Sequence, residues 1–227
     1  MDDKLLNVMQ ELIDNWQPAK DRRAIFLQCY RTMTANTLTA VADGRFRDAT
    51  WTANLLHRFA DYYFTALDVY EKGQNPTSPV WQFTFDAAQQ NKSNVLQHMF
   101  LGVNAHINYD LALTLYGVLH EEWPTLTPAQ RDGRYQDYCL VNDIIAETID
   151  QVQDEVVERE SPLLALVDWL GGRMDEFVIV EMLTGWRGEV WRKGVEMVEA
   201  ADDDGRAALR QSLEQTCLRR AQRILST

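Results

Sequence analysis

Residues Val95 to Leu119 read VLQHMFLGVNAHINYDLALTLYGVL, which has helical spacing and no continuous polar face. A helix that is apolar on nearly every side has to be surrounded, so it belongs at the centre of a bundle. It is not a membrane span, because His98, Asn104, His106, Asn108 and Asp110 interrupt it. Such a segment constrains the whole chain, since other helices must be available to cover it.

The rest of the sequence supplies them. Apolar residues recur at three- and four-residue steps, and no sustained alternation of the kind a strand needs is present. Caps and prolines predict helices from Asp21 to about Val41, from about Ala49 to Glu71 behind an Asp48 cap, and across Trp81 to Gln89. A Ser93 cap opens the central helix, at about 94–119, and Thr127-Pro128 begins a helix of one or two turns. Tyr135 to Glu158 is long and regular, Ser161-Pro162 opens a short helix that Gly171-Gly172 ends, and two further helices run to about Ala200 and Leu225. The expectation is an all-α single domain over residues 1–227, a bundle of about eight to nine helices around the buried central one. A two-domain division hinged at Gly171-Gly172 is the alternative.

Thirty-four acidic against 22 basic side chains leave a formal charge of −12. That acidity opposes phosphate backbones and anionic lipid, so neither nucleic acid nor membrane is expected as a partner. Cys29, Cys139 and Cys217 are odd in number and far apart, which reads as reduced thiols rather than a disulfide framework. The opening Met1-Asp2-Asp3-Lys4 lacks a basic, apolar leader, and a cytoplasmic location is expected.

The candidate site starts from Asp110, the one acidic or basic residue of the central segment apart from its histidines. At about 100° per residue, His106 and Asp110 fall about 40° apart on one face, and Asn104 and Asn108 lie on another. A buried carboxylate needs a cation, a metal or a hydrogen-bond donor. Neighbouring helices offer Asn142 and Gln153 at the edge of one stripe, with Asp150 farther round, and Arg187 and Trp191 along another. Asp110 or Asp150 is the expected carboxylate partner of Arg187. His57 and Asp61 repeat the His-x-x-x-Asp spacing, but on the polar side of their helix.

The run Leu101-Gly-Val-Asn-Ala-His-Ile-Asn-Tyr-Asp-Leu111 resembles the Gly-x-Asn-Ala-His-Ile-Asn-x-Asp-Leu signature of a bacterial domain of unknown function. The likeness extends to Asp137–Asn142, Asp150–Gln153, Arg187 and Trp191. It implies that these positions belong together, and it implies no activity. His57 with His106 and Asp110 is similar in order to the metal site of DinB-like bundles, with Asp in place of the last His. Asn142-Asp143 with Asp150 is similar to the magnesium motif of class I terpene cyclases, with Ala146 where a hydroxyl is expected.

Two functional readings follow. In the first, the chain is an enzyme with a pocket in which His106, Asp110 and Arg187 are catalytic and Asn104, Asn108, Asn142, Gln153 and Trp191 bind a small anionic or polar substrate. There His106 and Asp110 form an acid–base couple or, with Asp150, hold a divalent metal ion. Small residues at Gly102, Gly117, Ala146 and Gly194 would leave room for the pocket. In the second, the same residues are a buried polar network that specifies helix packing, and exposed tryptophans meet a protein partner or a second subunit in a homodimer.

Overall fold

The computed structural model describes residues 2–74, 78–90, 93–154 and 176–226, with the side chains of residues 2, 3, 150–154, 176 and 177 left aside. The expected helix behind Ser161-Pro162 and the hinge at Gly171-Gly172 lie outside the described residues. The elements are α1 (Asp2–Trp16), α2 (Arg23–Ala42), α3 (Ala49–Glu71), α4 (Pro79–Gln89), α5 (Val95–Val103), a π-helical turn (Asn104–Asp110), α6 (Leu111–Leu119), α7 (Pro128–Asp154), α8 (Glu176–Glu199) and α9 (Asp203–Ser226). No strand occurs among the described residues, and the all-α bundle is borne out.

Local chemistry sets most of the boundaries. Asp48 and Ser78 cap α3 and α4 by accepting from the backbone N–H of Trp51 and Trp81. Asn94, not Ser93, caps α5, because it forms a reciprocal box with Gln97. Gly44 and Gly73 follow α2 and α3 with positive φ, the left-handed stop that glycine adopts without strain. Thr127-Pro128 opens α7 itself and not a separate short helix. Helix α1 precedes the first helix read from the sequence. It buries Met9, Ile13 and Trp16, one helical stripe, against α2.

The central segment lies where its composition places it. Leu101, Ala105, Ala112, Leu115 and Leu119 are fully buried, and α2, α3, α4, α8 and α9 all pack against it. It is not one uninterrupted α-helix, however. From Asn104 to Asp110 the backbone widens to i→i+5 bonding over seven residues, and α-helix resumes at Leu111. The expected small-residue pocket is corrected at Gly102 and Gly194, whereas Gly117 borders a cleft with Asp110 and Ala146 borders another with Asn142. A Cβ on Gly102 would lie 2.3 Å from the Phe26 ring, and one on Gly194 would lie 2.7 Å from Leu115. These glycines allow close contact between helices and leave no space of their own.

Candidate functional site

The π turn distributes its polar side chains in two directions. Asn108 donates to the Asn104 side-chain oxygen at 3.1 Å, and Asn104 donates to the Cys217 carbonyl at 2.9 Å. This pair ties the turn to α9. On the other side, His106 Nδ1 lies 3.1 Å from Asp110 Oδ2, and the Trp81 indole donates to the same oxygen at 2.8 Å. The His–Asp contact expected from spacing is therefore formed, with its orientation fixed by a tryptophan from α4.

His106 is sealed among rings. Phe59 stacks on the imidazole at 3.5 Å between centroids, Tyr30 meets it edge-on at 4.2 Å, and Phe26, Tyr63 and Trp81 stand around it. Burial drives both members of the couple toward their neutral forms. It holds the His106 imidazole well below the usual histidine range. It also holds the Asp110 carboxyl well above the usual carboxylate range, against the opposing hydrogen bond from Trp81.

The couple separates two cavities. His106 lies in the wall of an apolar cavity of about 150 Å³, lined by α2, α3, the stretch from α5 into the π turn, α7 and α8. Asp110 borders a wider, more polar cleft of about 510 Å³ that also meets Arg58, Asp61 and Arg210. With Nδ1 turned to Asp110, the opposite ring nitrogen faces away from that cleft. His106 Nε2 is buried and has no hydrogen-bond partner among the described residues, and Thr52 Oγ1 on the same cavity wall also lacks one. Buried polar atoms are normally satisfied, so two around one cavity are where an occupant could supply the partner.

Arg187 reaches the same apolar cavity from α8. Its Nε donates to Asn142 at 2.6 Å, and its terminal nitrogen donates to the Tyr138 carbonyl at 2.7 Å. Its guanidinium lies 4.3 Å from the centre of the Tyr138 ring. Tyr138 returns a hydrogen bond to the Arg187 carbonyl at 2.7 Å, so the two helices are clamped at this level. The expected partner Asp110 is not used, and its carboxyl meets His106 and Trp81 instead. The side chains of Asp150 and Gln153 lie outside the described residues.

Other expectations are redirected. Trp191 does not border the cavity and instead packs against Trp123, Tyr135 and Tyr138. Asn142 belongs to the Arg187 clamp, and Asn104 and Asn108 face α9 rather than the cavity. His57 is half-buried and borders neither cavity, and Asp61 lines only the polar cleft. Among the described residues no group of three His, Cys, Asp or Glu side chains converges as a metal site would require. The described tryptophans are buried, apart from half-buried Trp186, and the exposed aromatic side chains among the described residues are Tyr62 and Tyr135.

Sequence reasoning missed Trp81, Phe59, Tyr30 and Thr52. They come from three other helices, and no spacing within one helix could have brought them to His106. Asp137 was read only as part of a shared segment. Its buried carboxylate accepts from the backbone N–H groups of Arg47 and Asp48, both at 2.8 Å, and fixes the turn between α2 and α3. Residues 3–227 match a family model described as a family of unknown function, DUF5995. No curated protein and no solved structure matches the chain.

Proposed function

The chain belongs to the DUF5995 family, a family of unknown function, and we propose that it holds a small, mainly apolar molecule in the cavity beside His106, with His106 as the base of the site. The carrying observation is the unpartnered Nε2 in the cavity wall, on a ring whose other nitrogen is oriented by Asp110. A histidine held this way keeps one tautomer and presents its second nitrogen for proton transfer. Dry, apolar surroundings keep the imidazole neutral, which is the state a base must start from. An apolar cavity of this size accommodates a molecule about as large as benzene.

The experiment is a titration with benzyl alcohol and with toluene, followed by methyl and imidazole-nitrogen nuclear magnetic resonance. Both probes should shift the Met33 and Met99 methyls that border the cavity. Only the alcohol, which can donate, should move the His106 Nε2 resonance. Undisturbed methyls at millimolar probe would refute the reading.

The packing reading applies to a different set of residues. The bonds from Asn108 through Asn104 to the Cys217 carbonyl favour a structural role for the two amides. Asn104→Ala should therefore cost roughly 1–3 kcal/mol in urea denaturation, with probe affinity unchanged. The divalent-metal reading needs a third ligand beyond the described residues. Elemental analysis tests it, since stoichiometric metal lost in both His106→Ala and Asp110→Ala would reinstate it.

A further inference from the structure

Arg187 is a cation buried to 4% exposure in the wall of an apolar cavity. The ion pairs among the described residues do not include it. Its described partners are an amide oxygen, a carbonyl and an aromatic face. These orient the guanidinium but carry no negative charge. Among the described residues of α7 none supplies one either. Asn142 and Tyr138 meet Arg187, and Ile149 lies two turns farther along, in the apolar cluster with Ile179. A buried charge with no counter-charge among the described residues is costly, and a guanidinium is the natural receiver of a carboxylate.

We infer that the ligand of this cavity is a small monocarboxylate, with its carboxylate at Arg187 and an apolar body about the size of a benzene ring. The inference rests on the reading of the cavity as a binding site and adds the ligand's class to it. Three features define the class. The cavity volume, about 150 Å³, suits an apolar body about the size of a benzene or toluene ring. The walls, formed by residues such as Met99, Ile107, Ile145 and Leu183, reject a second charge. Arg187 supplies the one fixed positive charge. The chain as a whole carries −12, so long-range attraction does not draw the anion in, and selectivity has to arise at this contact.

The test compares phenylacetate with phenylacetamide, which has nearly the same shape and no charge, by calorimetry on the intact chain. Phenylacetate should bind at least about tenfold tighter, the difference expected of one charge-assisted contact. In Arg187→Met the preference should vanish while amide affinity is retained, and in Arg187→Lys part of it should return. An amide that binds as tightly as the acid to the wild-type chain would overturn the carboxylate inference and leave the cavity reading intact. Failure of both probes and of toluene would overturn the two together. The wild-type comparison stands even if the Arg187 variants do not fold.

Discussion

Asp110 Oδ2 accepts from Trp81 and meets His106 Nδ1 at 1% exposure, so its proton and that of His106 have to be considered together. In the unfolded chain they titrate near about 4 and about 6.5 respectively. In the native state Asp110 is raised and His106 lowered, so the couple keeps one proton. Between about pH 4 and 6.5 the unfolded chain also carries one, on the histidine, and stability gains no slope from the pair. As pH rises above about 6.5 the unfolded chain releases that proton while the native couple retains its own, so stability falls. Below about pH 4 the unfolded chain takes up a second proton and stability falls again. Asp110→Asn leaves only the lowered histidine, whose contribution is lost as pH falls below about 6.5 and is constant above it. Urea midpoints from pH 4 to 9 should therefore show an alkaline decline in the wild type, at most about 1.4 kcal/mol per pH unit, that the variant lacks. Parallel profiles above pH 6.5 would mean that Asp110 is not held protonated.

At the scale of elements, glycines with opposite surroundings give opposite predictions. Gly102→Ala puts a methyl group into the Phe26 ring and should destabilise by roughly 1–3 kcal/mol. It should also weaken probe binding, because Phe26 borders the His106 ring and the cavity. Gly185→Ala, in the interior of α8 with nothing near its Cβ, should stabilise by about 0.5–1 kcal/mol. Thermal melts of the two variants that move in the same direction would contradict this account. The same contrast explains what the sequence could show. Capped helices such as α3 and α4 were legible because Asp48 and Ser78 act on their own backbone within three residues. The His106–Asp110 contact was legible because four residues separate its members under α-helical and π-helical winding alike. The π turn was not legible, since its polar residues fit an ordinary helical pattern equally well. Nor were the ring of aromatics around His106 and the clamp on Arg187, which are properties of how separate helices meet.

For the molecule as a whole, Cys29 on the wall of the central cavity can report how often the helices around it part. Burial pushes the Cys29 thiol up to about 12, and it should react with iodoacetamide only through opened states. Half-buried Cys139 should be modified first. A ligand in the cavity should slow modification of Cys29 in proportion to its occupancy and leave Cys139 unaffected. Mass spectrometry of the labelled chain reads both rates, and equal protection of the two thiols would point to global stabilisation instead. The π turn, finally, bears on inheritance. Its wider winding accommodates one residue more than the α-helix it replaces, and α5 and α6 are bonded normally on either side. Removal of a single codon, that of Ala105, is therefore expected to yield a straight central helix in a bundle that still melts cooperatively but no longer takes up toluene. Such a lineage would lose the proposed binding site in one step and keep its architecture.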